Sequence, residues 1–115
     1  MSALRREIVE TARRMNVLGI NQGRAGNVSA RARTGFLITP SGLAYEAMKP
    51  ADIVAMGRDG TVRGGGKPSS EWPFHSAIYT ARPEAGAVVH AHPPHATSLA
   101  CLGRSIPAFH YMVAV

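Results

Sequence analysis

The stretch Val28-Ser29-Ala30-Arg31-Ala32-Arg33-Thr34-Gly35-Phe36-Leu37-Ile38-Thr39 decides the fold class. Val28, Ala30 and Ala32 alternate with polar residues, as a strand with one buried face does, and a Thr34-Gly35 turn leads into the β-rich run Phe36-Leu37-Ile38-Thr39. The spacing predicts a hairpin. A second pair of strands is expected at residues 53–56 and 61–63, around the Asp59-Gly60 turn signal. Upstream, Leu4, Ile8, Ala12, Met15 and Leu18 follow the three-and-four spacing of an amphipathic helix over residues 2–18, with Gly19 as its C-cap. Downstream, Gly64-Gly65-Gly66-Lys67-Pro68 breaks any element, and Ser70 is expected to cap a second helix. Pro73 is tolerated in that helix's first turn, Phe74, Ala77, Ile78 and Ala81 form an apolar stripe, and Pro83 ends it. Residues 87–92 read as a buried strand that Pro93-Pro94 stops, residues 95–102 as a short helix before Gly103, and residues 106–115 as strand-like. Helices and hairpins mix with few crossover units, which predicts an α/β or α+β arrangement around a largely antiparallel sheet.

With 115 residues, 45% hydrophobic and 17% charged, the chain is one domain's worth of material at most. No stretch approaches the roughly 18 consecutive apolar residues of a membrane span. Arg5, Arg6, Glu7 and Glu10 stand where a signal peptide needs an apolar core. Cys101 is the single cysteine and has no partner within the chain for a disulfide, so a cytoplasmic location without a membrane partner is expected. The net charge of +6 suits either nucleic acid or a small anionic substrate. Arg5, Arg6, Arg13, Arg14, Arg24, Arg31 and Arg33 crowd the first third, yet no basic run exceeds two and no aromatic residues interleave for base stacking. No nucleic-acid partner is expected. The end His110-Tyr111-Met112-Val113-Ala114-Val115 falls inside an apolar strand pattern, which reads as a fragment or an incompletely recorded chain.

The strongest chemical signal is His90-Ala91-His92. On a strand, residues two apart share a face about 6–7 Å apart, so two imidazoles can converge on one metal ion, the alternative being two structural histidines. A third ligand is needed, and His75, His95, His110 and Glu71 are the candidates. The H-x-H-x-D-H pattern of β-lactamase-fold metallohydrolases fails at Pro94, where that family needs an aspartate. Ser69-Ser70-Glu71 brings two hydroxyls and free N–H groups to a helix N-terminus, a seat for a phosphate, although a plain helix cap accounts for Ser70 and Glu71 equally well. A nucleotide P-loop is excluded because Gly66-Lys67 is followed by Pro68 and position 61 is Thr61. Two further tight turns, Gly23-Arg24-Ala25-Gly26-Asn27 and Thr39-Pro40-Ser41-Gly42, offer backbone N–H groups and small polar side chains.

In this order, Asn21-Gln22-Gly23 with Ala25-Gly26-Asn27-Val28-Ser29, Leu37-Ile38-Thr39-Pro40, Pro68-Ser69-Ser70-Glu71-Trp72, Ala87-Val88-Val89-His90 with His92, and Arg104-Ser105-Ile106-Pro107-Ala108 with His110-Tyr111-Met112 resemble the class II aldolase/adducin family. Among its branches the aldolases acting on ketose 1-phosphates such as L-fuculose 1-phosphate are the most similar. The resemblance implies a three-layer α/β/α sandwich, of which residues 1–115 are the N-terminal portion of a single domain. It implies that Gly26, Asn27, Ser41, Gly42, Ser69 and Ser70 hold the substrate phosphate. His90 and His92 would bind one zinc ion per subunit, and Glu71 would serve as a displaceable metal ligand and as the acid/base. Tyr111 would reach a neighbouring subunit's active site in a homotetramer whose sites lie at subunit interfaces. The family's third histidine ligand and a C-terminal catalytic tyrosine fall beyond residue 115. Ser41 stands for the usual threonine, and Arg24 replaces a small polar residue, a change that bears on sugar preference. The implied reaction is reversible retro-aldol cleavage to dihydroxyacetone phosphate and an aldehyde. The alternatives are an epimerase, decarboxylase or dehydratase of sugar phosphates, or an adducin-like interaction module without catalysis.

Overall fold

The structure is a computed structural model and describes residues 2–106. Helix α1 (Ser2–Val17) buries Ile8, Val9, Ala12 and Met15, and the chain leaves it through Gly19, whose φ of 75° is left-handed backbone that glycine adopts without strain. Strands β1 (Asn27–Ala32) and β2 (Gly35–Ile38) form the first hairpin, and β3 (Val54–Met56) and β4 (Val62–Arg63) the second. Two 3-10 turns, Tyr45–Ala47 and Pro50–Asp52, lie between the hairpins. Helix α2 (Trp72–Ala81), strand β5 (Ala87–His90) and helix α3 (Pro94–Cys101) follow. The sheet runs in the order β4-β3-β2-β1-β5, and every described pairing is antiparallel.

Period-two alternation separates two cores. Val28, Ala30 and Leu37 pack with α1 and with Tyr45, Met48 and Ile53 on one face of the sheet. Phe36, Ile38, Val54 and Met56 point the other way, onto Tyr79 of α2. The sheet is therefore sandwiched between helical layers, as expected of an α/β/α arrangement.

Three local expectations need correction. The apolar stripe of α2 does not face the sheet: Phe74 is 66% exposed and Ile78 39%, whereas His75, Ser76 and Tyr79 are buried. Hydrogen-bond partners cause this inversion, because β1 offers Ser29 and Asn27 to α2 while the Ser76 hydroxyl donates to the Arg58 carbonyl at 2.5 Å. Ser70 is not the helix cap. Glu71 occupies that position without a side-chain cap bond, and its N–H donates to Ser69 Oγ at 3.3 Å. The strand at 87–92 ends at His90 and is not fully buried, since among the described residues β5 has β1 as its one neighbour and Val89 is 52% exposed. Residues 107–115, with His110 and Tyr111, lie outside the described residues.

Candidate active site

Three loops meet at one end of β1. An antiparallel bridge between Pro40 and Pro68 joins two of them, flanked by the Ser69 N–H donating to the Thr39 carbonyl at 3.0 Å and the Ser41 N–H to the Lys67 carbonyl at 2.9 Å. Thr39 is tied in turn to β1, its N–H donating to the Val28 carbonyl at 3.0 Å and its Oγ1 accepting from the Val28 N–H at 3.2 Å. The third loop arrives at Gly26, where the Tyr45 hydroxyl donates to the main-chain carbonyl. A Cβ at Gly26 would overlap the His90 carbonyl oxygen and come within 2.9 Å of Asn21 Oδ1, so only glycine lets β1 begin this close to β5.

These loops enclose a cavity of about 130 Å³ lined by Gly26, Asn27, Ser41, Gly42, Ser69, Ser70 and Glu71, together with Arg24. All six residues expected to hold a phosphate therefore line one cavity. Arg24 reaches across it, its guanidinium donating to the Gly42 carbonyl at 2.8 Å. Lys67 lines the adjoining cleft of about 550 Å³, which shares the wall formed by Pro40, Ser41, Gly42 and Leu43.

Beside the cavity, Glu71, His90 and His92 each present one ligand atom, all within 4.8 Å of one another. The β1–β5 register sets Asn27 opposite His90 on the α2 face of the sheet, and Glu71, at the cap position of α2, meets Asn27 there. His92 lies beyond the end of β5, yet its ring centroid is 4.8 Å from that of His90, and its main-chain N–H donates to Asn21 Oδ1 at 2.7 Å. Among the described residues His92 Nε2 is the buried side-chain nitrogen without a hydrogen-bond partner. An imidazole with an orphaned nitrogen, grouped with a second imidazole and a carboxylate, suits a divalent cation, and the N/N/O donor set fits zinc and neighbouring transition metals. Of the third-ligand candidates, Glu71 joins the pair, His95 is exposed on α3, and His75 is bonded elsewhere.

Glu71 Oε2 lies 2.6 Å from His90 Nδ1 and accepts from Asn27 Nδ2 at 2.6 Å. Burial pushes the Glu71 carboxyl up, but the Asn27 N–H, His90 and His92 together hold it below the usual carboxylate range. It is therefore a carboxylate near neutral pH, able to ligate a cation or accept a proton. Burial raises Tyr45, and the Glu71 charge adds to the rise against a hydrogen bond from Asn21, so its hydroxyl stays a donor to Gly26.

Sequence reasoning did not find the roles of Asn21, Ser29 and Tyr79. The available signal was polar residues at alternate β1 positions, Asn27 and Ser29, matched by His75 and Tyr79 one helical turn apart.

Comparison with known proteins places the fold in a family. The family model described as Class II Aldolase and Adducin N-terminal domain matches residues 6–115. A 5-methylthioribulose-1-phosphate/5-deoxyribulose-1-phosphate aldolase of Rhodospirillum rubrum is 57% identical over 98% of this chain and 51% of its own length. An L-fuculose phosphate aldolase of Escherichia coli (strain K12) is 51% identical over 96% of this chain and 52% of its own. A solved L-fuculose 1-phosphate aldolase superposes with a TM-score of 0.91 at 38% identity, over 99% of this chain and 55% of that one. The chain thus spans about half the length of the relatives it matches.

Proposed function

This chain belongs to the class II aldolase and adducin family, and on that footing we propose that the complete protein is a metal-dependent lyase, cleaving a ketose 1-phosphate reversibly to dihydroxyacetone phosphate and a small aldehyde. The observation that carries the proposal is that one residue, Glu71, belongs both to the metal-ligand trio and to the wall of the polar cavity. A phosphate seated in that cavity brings the carbon chain of its sugar to the trio. The same trio favours an enzyme over an interaction module, which has no use for an orphaned ligand atom.

The phosphate is assigned to the hydroxyls of Ser41, Ser69 and Ser70, the second N–H of Asn27 and the main chain at Gly26 and Gly42. These are neutral donors in a fixed arrangement, each contributing about 1 kcal/mol net and somewhat more to a charged acceptor. His90, His92 and Glu71 would hold one zinc ion per subunit. When bound, that ion supplies a Lewis acid for the charge that develops on the substrate oxygens.

Cleavage breaks the C3–C4 bond: the C4 hydroxyl loses its proton and becomes the aldehyde, and the bonding electron pair passes to C3, which takes up a proton. Glu71 exchanges the proton at C3, its carboxylate held ready by Asn27. The C4 hydroxyl proton is assigned to Tyr111 of a neighbouring subunit in a homotetramer. A cytoplasmic setting suits the single cysteine. Arg24, bonded to the Gly42 carbonyl in the cavity wall, bears on which sugar is accepted.

The test is dihydroxyacetone phosphate release from L-fuculose 1-phosphate, 5-deoxyribulose 1-phosphate and 5-methylthioribulose 1-phosphate, with the unphosphorylated ketoses as controls. At least one phosphorylated ketose is expected to be cleaved and none of the free sugars. Glu71→Gln should still bind zinc while kcat falls roughly 100-fold or more, since the amide keeps an oxygen but exchanges no proton. Equal cleavage of free and phosphorylated sugar would remove the phosphate site from the proposal, and full turnover in Glu71→Gln would remove Glu71 as the acid/base.

A further inference from the structure

Behind Glu71 and Asn27 runs a line of buried polar groups, His75, Ser29 and Tyr79, that the proposed chemistry does not use. Tyr79 Oη lies 2.7 Å from Ser29 Oγ, Ser29 Oγ lies 2.6 Å from His75 Nδ1, and His75 Nε2 lies 2.5 Å from Asn27 Oδ1. Asn27 Nδ2 completes it at Glu71 Oε2. Tyr79 and His75 are 1% exposed, Asn27 3% and Ser29 0%, so water does not substitute for any link.

The direction of each bond follows from the chemistry at its end. Glu71 is a carboxylate and only accepts, so Asn27 must turn its NH2 group toward it. Asn27 Oδ1 then faces inward as an acceptor and requires a donor at His75 Nε2. Burial, with the charge of His90 adding to it and that of Glu71 opposing, pushes His75 down to about 4, so the ring is neutral and carries one proton. With Nε2 protonated, Nδ1 accepts from the Ser29 hydroxyl, whose oxygen accepts from Tyr79.

Among the described residues nothing else holds the amide so firmly. A second contact of Asn27 Oδ1, to His90 Nδ1 at 3.2 Å, is longer than the first and shared with Glu71. Reversing the amide would set its oxygen against the Glu71 carboxylate.

We propose that His75 is a positioning residue: by donating from Nε2 to Asn27 Oδ1 it locks the Asn27 amide with its N–H toward Glu71, and so fixes the Glu71 carboxylate beside His90. The proposal rests on Glu71, His90 and His92 being the metal site. Partners that orient metal ligands through hydrogen bonds are worth roughly 10- to 100-fold in metal affinity or activity.

The experiment measures zinc affinity by chelator competition in the complete protein, together with kcat and KM for whichever ketose 1-phosphate is cleaved and with thermal stability. His75→Leu removes the donor and should weaken zinc roughly tenfold or more and lower kcat, with a smaller rise in KM, because Asn27 is one of the six residues assigned to the phosphate and the other five are untouched. His75→Gln offers an amide N–H in place of Nε2 and should recover most of the affinity. A ring that only fills space would give the reverse order, Leu better than Gln. Nitrogen-15 spectra of wild type should show His75 protonated at Nε2 and bare at Nδ1, and a proton on Nδ1 would overturn the proposal. Should His75→Leu fail to fold, Ser29→Ala interrupts the line one link further back and should also weaken zinc, by a smaller factor. Wild-type zinc affinity in these variants, with only the melting temperature lowered, reduces His75 to a structural role. Failure of every ketose phosphate to react would sink the proposed reaction instead, while the zinc affinities would still decide on His75.

Discussion

His75 is a histidine kept neutral by its surroundings, and this ties stability to pH. Its pKa falls from 6.5 to about 4 on folding, because burial penalises the cation and His90 adds repulsion that Glu71 only partly offsets. Above pH 6.5 both folded and unfolded chains hold a neutral ring, and below about pH 4 both hold a charged one. Between these limits the unfolded chain binds the extra proton, so stability fully present above pH 6.5 is lost as pH falls toward 4. The whole loss attributable to this ring is on the order of 3 kcal/mol. Glutamine at this position does not titrate. In metal-free protein, His75→Gln should lose about 2 kcal/mol less than wild type between pH 7 and pH 4.5, read by urea unfolding at both pH values. The lowered Glu71 carboxyl destabilises in the same direction on acidification but is common to both proteins. Equal losses would mean that His75 is charged inside the fold.

The elements that position the site differ in how much of them could be read from sequence. Helix α1 and both hairpins were legible because their signals are local: three-and-four spacing ended by Gly19, and alternation about Thr34-Gly35 and Asp59-Gly60. The β1–β5 pairing was not, since Asn27 and His90 are far apart in sequence and neither announces the other. The orientation of α2 escaped for a different reason. Reading apolar as inward fails where a strand presents polar partners, and Ser29 and Asn27 draw His75 and Tyr79 inward while Phe74 and Ile78 face out. The metal trio was legible by two routes: His90-x-His92 declares itself by spacing, whereas spacing left Glu71 level with His75, His95 and His110 and it was the family resemblance that pointed to Glu71. Gly26 sits at the junction of β1 and β5. Gly26→Ala should cost about 2 kcal/mol, because its methyl group and the His90 carbonyl cannot both keep their places. Gly65→Ala, where an added methyl meets open space, should change stability by less than about 1 kcal/mol. Urea unfolding of the two variants makes the comparison, and a Gly26→Ala protein as stable as Gly65→Ala would show that β1 and β5 can separate freely there.

At the scale of the molecule, the site joins pieces that the backbone alone leaves loosely connected. Among the described residues β5 pairs only with β1, and the ligand residues come from the start of α2, the end of β5 and the segment just beyond it. Holding Glu71, His90 and His92 on one ion ties these three together in the folded chain, while the unfolded chain presents them separately. An ion that binds the folded state alone stabilises it by an amount set by its concentration over its dissociation constant, about 2.7 kcal/mol at a hundredfold excess. Zinc at that excess should therefore raise the unfolding free energy of the complete protein by about this much, and a chelator should reverse the gain. The surplus of basic residues offers a rival source of stabilisation by solutes, since a chain of net charge +6 is steadied by any anion that screens its self-repulsion. The two are separable. Screening by the counter-ion of a zinc salt would act equally on wild type and on His92→Ala, and sodium chloride of the same ionic strength would reproduce it. Stabilisation through the trio should vanish in His92→Ala, which removes the nitrogen that has no other partner, and sodium chloride should not mimic it. A zinc-dependent gain that survives in His92→Ala would place the ion elsewhere in the molecule.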